Sequence, residues 1–165
     1  MKKIIGILSI ALLASCGSSD SPQDTKSSSD DNTNVNQNTN LVYEFTIKAV
    51  GNTMQKMAFD TKVLEVKAGS TVKITLVNEG IDASMIHNIV FVNSGTRQEV
   101  AMACVAAGPD KQFIAENPNI IAASGLANPE STIELEFTAP PKGDYEFLCT
   151  YPGHSEMMKG WLYVE

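Results

Sequence analysis

Three side chains able to bind a soft metal ion lie close together near the end of this 165-residue chain. They are Cys149, His154 and Met158, in the segment "CTYPGHSEMMKG". Pro152 and Gly153 favour a turn between the cysteine and the histidine, so that the three side chains can converge. A thiolate, an imidazole and a thioether form a soft ligand set, which suits copper far better than magnesium, calcium or manganese. The spacing therefore predicts a copper-binding loop.

A further nitrogen ligand must come from another part of the chain. The sequence contains 2 histidines, so His87 in "SMIHNIVF" is the one candidate besides His154. Two imidazoles and a thiolate, with a weak axial thioether, are the ligands of blue-copper electron-transfer sites. Met157 competes with Met158 for the axial position. Zinc is the alternative metal, because cysteine and histidine also bind it tetrahedrally.

The cysteines allow one other interpretation. Cys149 could form a disulfide with Cys104, since disulfides are common in exported proteins. The ligand spacing around Cys149 favours the metal site instead. Cys104 is then predicted to be a small buried apolar residue.

The elements that must position these residues are predicted to be β-strands. Polar and apolar residues alternate in several segments, which is typical of half-buried strands in an antiparallel sandwich. These segments are 43–49, 72–76, 133–137, 144–149 and 160–165. The segment 87–92 is apolar on both faces after its first two residues, which predicts a more central strand. We expect seven or eight strands in one all-β sandwich.

The interval 94–128 interrupts this alternation. Thr96 and Glu99 have the spacing of a capping box and predict a short helix, which Gly108 and Pro109 would end. The remainder of the interval is predicted to be a long crossing loop between strands.

The first forty residues are predicted to lie outside the folded domain. Residues 1–15 have the basic start and the apolar run of a secretory signal peptide. The sequence Leu13-Ala14-Ser15-Cys16-Gly17 resembles a bacterial lipobox, which predicts cleavage before Cys16 and lipid attachment to it; the alternative is an ordinary signal peptide with an incidental cysteine. Residues 16–40 are rich in Ser, Asn and Asp and predict a disordered tether. The domain itself is assigned to residues 41–165.

The charge balance restricts the partners. The chain has 12 basic and 19 acidic residues and a formal net charge of −7. This excludes a general affinity for nucleic acid and favours basic partners.

The ligand segments resemble a known family. "CTYPGHSEMMKG" resembles the copper loop of azurins, and "HNIVFV" with the preceding "ASMI" resembles the azurin segment that holds the remote histidine. The stretch "NIIAASGLANPESTIELEFTAPPKGDYEFLCTYPGH" is similar to auracyanins. The resemblance covers most of residues 50–165 and implies a Greek-key cupredoxin sandwich. It also implies equatorial ligands at His87, Cys149 and His154, an axial Met158, and a distant axial contact from the backbone carbonyl of Ile86.

The same resemblance assigns roles to residues around the ligands. Asn88 would tie the strand of the first histidine to Thr150 in the ligand loop. A patch for redox partners would surround the solvent edge of His154; its members are Met57, Met85, Tyr151, Pro152 and Met157. The sequence lacks the cysteine pair that cross-links two early strands in azurins.

The predicted function is electron transfer by one copper ion, without enzymatic activity. The protein would be a monomeric, lipid-anchored carrier in the bacterial cell envelope, with a c-type cytochrome or a terminal reductase or oxidase as its partner. A copper storage or delivery protein is the first alternative. An accessory subunit of a copper-dependent reductase is less favoured, because a second copper site would need further histidines. A metal-free adhesion sandwich is the remaining alternative.

Overall fold

The computed structural model describes residues 41–165. This part of the chain contains nine strands and one α-helix. The strands are β1 (Val42–Val50), β2 (Ala58–Phe59), β3 (Val63–Val66), β4 (Thr71–Asn78), β5 (Val90–Asn93), β6 (Ile120–Ala123), β7 (Thr132–Thr138), β8 (Gly143–Leu148) and β9 (Lys159–Val164). The helix α1 spans Arg97–Ala107, and a short 3-10 helix follows at Pro109–Lys111. The signal peptide, Cys16 and the tether lie outside the described residues.

The strands form two sheets, which confirms the predicted cupredoxin-type β-sandwich. The first sheet has the order β2-β1-β4-β7 and the second has the order β3-β9-β8-β5-β6. The alternation was interpreted as typical of an antiparallel sandwich, but two of the strand pairs, β1 with β4 and β3 with β9, are parallel. Both parallel pairs join strands that are not consecutive in the chain, and period-two alternation carries no information about strand direction.

The core lies between the two sheets and follows the predicted alternation. Along β4 the buried side chains Val72, Ile74 and Leu76 alternate with more exposed ones. From the second sheet, the rings of Phe91 and Phe147 lie 5.5 Å apart and fill the middle of the core. Burying side chains of this size stabilises the fold by about 1.5–3 kcal/mol each. The core thus gives the ligand-bearing strand ends a rigid support.

Helix α1 covers the outer face of the second sheet. Its buried residues Val100 and Cys104 pack in a small cluster with Val90, Val92 and Leu148. The helix is confirmed, but the predicted capping box is not formed. The hydroxyl of Thr96 donates to the carbonyl of Asn93 at 2.7 Å and does not cap the helix. No helix within residues 41–165 is long and apolar enough to cross a membrane.

Two local predictions need correction. The crossing loop contains an additional strand, β6, whose residues "IIAA" do not alternate in polarity. The strand predicted to begin at His87 begins at Val90. His87 itself forms an isolated bridge with Ala127, so it is held by a backbone pair outside the sheet.

Candidate metal centre

His87 is held by a buried network of backbone hydrogen bonds. Its N–H donates to the carbonyl of Ala127 at 3.1 Å, and its own carbonyl accepts from Ala127 N–H at 2.7 Å. Asn78, at the end of β4, donates to the carbonyl of Ala127 at 3.0 Å and to that of Met85 at 2.7 Å. The Asn78 oxygen accepts from Gly80 N–H at 2.9 Å. The backbone on both sides of His87 is therefore fixed from inside the protein.

The other ligand candidates follow strand β8. Cys149 comes directly after the last residue of β8, and Met158 directly precedes β9. The Cys149 N–H donates to the Met158 carbonyl at 3.0 Å, which closes the base of the loop between the two strands. Within that loop, the N–H of His154 donates to the Tyr151 carbonyl at 3.0 Å. The strand pair β8–β9 thus brings the two ends of the ligand loop together.

Three side chains converge on one point between these elements. The Cys149 Sγ lies 3.9 Å from His87 Nδ1 and 3.8 Å from His154 Nδ1, and the two Nδ1 atoms are 3.1 Å apart. Donors that lie about 2.0–2.3 Å from one ion, with angles of about 100–120° between them, are separated by about 3.1–4.0 Å. The three residues are at most 1% exposed. Their spacing and donor types fit one soft metal ion, and within residues 41–165 this is the only such group of His, Cys, Asp and Glu.

Burial shifts the pKa of each of these three groups. It lowers the pKa of His87 to about 4, with a further contribution from the neighbouring His154. It also lowers the pKa of His154 and raises the pKa of Cys149 to about 12. At neutral pH both imidazoles are therefore uncharged and have a free lone pair. The thiol must lose its proton when a metal binds, because the thiolate is the metal ligand.

The remote nitrogen of His87 is unusual. Its Nε2 is buried and, within the part of the chain that the structure describes, has no hydrogen-bond partner. If Nδ1 keeps its lone pair for a metal, Nε2 carries the proton. A buried donor without an acceptor costs about 1–3 kcal/mol. Metal binding at Nδ1 offsets this cost, so the orphaned nitrogen agrees with a metal-ligating role for His87.

The two further ligands that the resemblance implies, Met158 and the Ile86 carbonyl, lie close in sequence to the histidines. Met158 is fully buried, whereas the side chain of Met157 is 44% exposed. Their burial favours Met158 over Met157 as the ligand. Ile86 is half-buried, and its backbone carbonyl accepts no hydrogen bond from residues 41–165.

Asn88 and Thr150 form the link that the resemblance implies. The Asn88 side chain accepts from Thr150 N–H and donates to Thr150 Oγ1, both at 2.8 Å. A third partner was not anticipated: Thr150 Oγ1 also donates to the Phe113 carbonyl at 2.7 Å. The ring of Phe113 packs on Tyr151, which in turn packs on the His154 ring at 4.9 Å. No motif in the loop around Phe113 signals this contact.

The predicted partner patch is partly wrong. Met57 and Met85 are each 1% exposed and belong to the core, so their side chains form no exposed surface. Tyr151 and Pro152 are half-buried and Met157 is exposed. Met54, which the patch prediction omits, is 43% exposed. A Cβ added at Gly153 would lie 2.8 Å from its terminal methyl group, so Met54 borders the residue before His154.

The disulfide interpretation is also wrong. Cys104 and Cys149 are both free and buried. Cys104 lies on the buried face of helix α1, where its Sγ accepts from Ala115 N–H at 3.3 Å. Cys149 is thus left with the two histidines as its side-chain neighbours at the centre.

Comparisons with known proteins agree with this geometry. Residues 45–165 match the family model described as copper binding proteins, plastocyanin/azurin family. Auracyanin-A of Chloroflexus aurantiacus is 41% identical over 118 residues, which cover 70% of this chain and 72% of the relative. Outer membrane protein H.8 of Neisseria gonorrhoeae is 33% identical over 109 residues, 63% of this chain and 60% of that protein. The solved structure of auracyanin A, described as a "blue" copper protein of the same Chloroflexus species, is 38% identical and superposes with a TM-score of 0.67 over 75% of this chain and 99% of the other.

Proposed function

Since the chain belongs to the plastocyanin/azurin family of copper-binding proteins, we propose that it carries single electrons between redox partners. The group that supplies this chemistry is one copper ion, which alternates between Cu(II) and Cu(I). The residues that would hold it are His87, Cys149 and His154, with Met158 as a weaker further ligand. The backbone carbonyl of Ile86 would be a more distant contact.

One observation carries the proposal: the three donors are almost completely buried. Catalytic metal sites keep an open position for substrate or water. Donors that are at most 1% exposed leave no such access. A site of this kind suits a process in which only an electron crosses the protein surface, so we assign no enzymatic activity.

The surrounding residues keep the donors in place. Asn88 joins the segment of His87 to the residue after Cys149, through two hydrogen bonds of 2.8 Å. Such outer contacts orient metal ligands and limit their movement. A fixed geometry lowers the cost of changing oxidation state, because the ligands do not need to rearrange. This is the role we assign to the Asn88–Thr150 pair.

Electrons would pass through the edge of His154. Tyr151 packs on its ring, and Pro152, Met54 and Met157 provide apolar surface in the same region. We propose this surface as the contact site for a c-type cytochrome or a terminal reductase or oxidase. Residues 41–165 carry a net charge of −6, which favours a basic partner.

The cellular site is the bacterial envelope. The lipobox around Cys16 supports a lipid-anchored protein, with residues 16–40 as its tether. One relative is named an outer membrane protein. Mass spectrometry of the N-terminal peptide checks this proposal: an acylated Cys16 supports it, and an unmodified mature N-terminus at another residue contradicts it.

The function is tested by copper loading of the purified protein. We expect Cu(II) to produce an intense thiolate-to-copper visible band, which ascorbate bleaches and ferricyanide restores. Cys149→Ser should abolish the band, whereas Cys104→Ser, which changes the other free cysteine of residues 41–165, should retain it. The reduced protein should also keep its copper in the presence of a Cu(I) chelator and should reduce an oxidised c-type cytochrome.

Each alternative has its own outcome. Absence of the band in the wild type, or its persistence in Cys149→Ser, contradicts the electron-transfer proposal. Rapid loss of Cu(I) to the chelator favours storage or delivery of copper instead.

A further inference from the structure

The ligand loop, residues 151–158, is bonded mainly to itself. The N–H groups of Met157 and Met158 both donate to the carbonyl of His154, at 3.1 and 3.0 Å. The N–H of His154 donates to the carbonyl of Tyr151. These bonds shape the turn, and the bond from Cys149 N–H to the Met158 carbonyl fixes the base of the loop to the end of β8. None of them fixes the middle of the loop, so a further contact is needed if His154 is to stay beside Cys149.

Arg97, the first residue of helix α1, makes that connection. Its guanidinium donates to the carbonyl of Ser155 at 3.2 Å and to Glu156 Oε1 at 3.2 Å. Apart from Lys159, which immediately follows the loop and bonds Glu156, we find no other side chain in residues 41–165 that donates a hydrogen bond to it. The side chain of Arg97 is only 18% exposed. Glu156 is 63% exposed, so its pair with Arg97 is a weak surface contact, whereas the bond to the Ser155 carbonyl does not depend on an exposed partner side chain.

The other end of the connection lies on the strand that leads to Cys149. Arg97 Nε donates to Glu146 Oε1 at 3.3 Å. Glu146 belongs to β8, three residues before Cys149, and its second oxygen accepts from Gly95 N–H at 2.9 Å. Its side chain is 13% exposed. One guanidinium thus bridges the strand that leads to Cys149 and the loop that carries His154.

We propose that Arg97 is a positioning residue that fixes the ligand loop to strand β8 and so holds His154 beside Cys149. The reason for holding His154 in place rests on the proposed function, but the hydrogen bonds of Arg97 do not depend on a bound ion. Arginine is required because its planar group donates in several directions at once. A lysine offers one compact charge and cannot reach Glu146, Ser155 and Glu156 with the same fork.

Hydrogen exchange of the copper-free protein tests the proposal directly. We expect Arg97→Met, which keeps an apolar stem, to speed amide exchange in a peptide covering 151–158 at least tenfold. Arg97→Lys should lie between the wild type and Arg97→Met. Lys159→Met removes the other partner of Glu156 but keeps the Ser155 contact, so it should change loop exchange by less than about twofold.

The pattern of exchange decides between positioning and general stabilisation. Exchange within β4 should be the same in all variants. Loop exchange within twofold of wild type in Arg97→Met overturns the proposal, as does an equal acceleration in β4 and the loop. Should Arg97→Met fail to fold, Glu146→Gln weakens the strand end of the bridge, and at least threefold faster loop exchange is then expected; unchanged exchange overturns the proposal.

A copper measurement separates this inference from the proposed function. In the loaded protein, Arg97→Met should release Cu(I) to a chelator at least tenfold faster than wild type, while the Lys159→Met rate stays within twofold. An equal release rate in Arg97→Met and wild type contradicts the positioning role. If the wild type forms no thiolate-to-copper band at all, the proposed function fails, but the exchange result for the loop still stands.

Discussion

The two histidines of the centre are held in different ways. His87 is completely buried and pairs through its backbone with Ala127, and Asn78 donates to the carbonyls of Ala127 and Met85. His154 is almost as buried, but it lies on a loop bonded mainly to itself, with the exposed residues Met54 and Met157 at its border. Arg97 donates two side-chain hydrogen bonds to the middle of that loop, to the Ser155 carbonyl and to Glu156.

The two histidines meet two different requirements of an electron carrier. The donor set must not move when the oxidation state changes, and the buried hydrogen bonds around His87 meet that requirement. Electrons must also reach a partner, and only a ligand near the surface gives a short route. We therefore expect changes near His87 to alter the stability of the whole fold. Changes near the tip of the ligand loop should have smaller, local effects.

The largest effect is expected at Asn78. Asn78→Ala leaves the carbonyls of Met85 and Ala127 and the N–H of Gly80 without their side-chain partner, in a site that is 1% exposed. The Met85 carbonyl and the Gly80 N–H are left unsatisfied, at a cost of about 1 kcal/mol or more each. The Ala127 carbonyl keeps its bond from His87 N–H, so the loss of its second bond costs less. We expect the free energy of unfolding to fall by about 3 kcal/mol, measured by denaturant titration.

A matched variant tests the reason for that loss. Asn93→Ala removes a partly buried asparagine whose side chain donates a single bond of 3.2 Å to Asn119. Its cost should stay below about 1 kcal/mol. Equal losses in the two variants would show that the His87 side is not held more firmly than an ordinary strand end.

The second-largest effect is expected when the pH of the copper-free protein is lowered. The folded-state pKa of His87 is lowered from 6.5 to about 4. Between these values the unfolded chain binds more protons than the folded one, so stability falls as the pH falls. From pH 7 to pH 5 we expect a loss of about 2 kcal/mol from this residue. Denaturant titrations at both pH values measure it.

Substitution assigns the loss to one histidine. His87→Gln should remove most of the pH dependence between pH 7 and pH 5. His154→Gln reports the share of the loop histidine, whose pKa is also lowered by burial. If the free energy of unfolding of His87→Gln still falls by the same amount between pH 7 and pH 5, another group takes up the proton. This distinction between the two histidines would then be lost.

The sequence was most informative where chemistry limits the choice of residue. A chain with 2 histidines leaves few ways to complete a soft ligand set around Cys149, and the structure brings both histidines to that cysteine. Alternation predicted β1, β4 and β7 because each has one face in the core and one in solvent. Strand direction was not predictable, since parallel and antiparallel partners bury the same face.

Contacts between residues that are far apart along the chain could not be predicted, because they leave no pattern in the sequence. Met57 and Met85 could each have been a core residue or an apolar surface residue near the ligands. Only the packing of the folded chain decides between the two positions. Arg97 resembles any solvated arginine at a helix start, because its partners are 49 and 58 residues away along the chain. Strand β6 is half-buried throughout and therefore shows no alternation.

The smallest effect is expected at the tip of the ligand loop. Gly153 has φ = +84°, so Gly153→Ala pays the cost of a left-handed alanine, about 1 kcal/mol. The added Cβ would also meet the Met54 methyl group at 2.8 Å. Because Met54 is a flexible and exposed side chain, we expect its methyl group to move away at little cost. Gly95→Ala is the matched control, since Gly95 has φ = +79° and no atom within 4 Å of an added Cβ.

The two alanine variants should therefore lose equal stability, within about 0.5 kcal/mol, in thermal or denaturant unfolding. The double variant Gly153→Ala with Met54→Ala should then recover nothing. If Gly153→Ala costs over 1 kcal/mol more than Gly95→Ala, and Met54→Ala removes that excess, Met54 is fixed against the loop. The His154 side would then be as rigid as the His87 side, and Met54 would be part of the support of the site instead of an adaptable surface beside it.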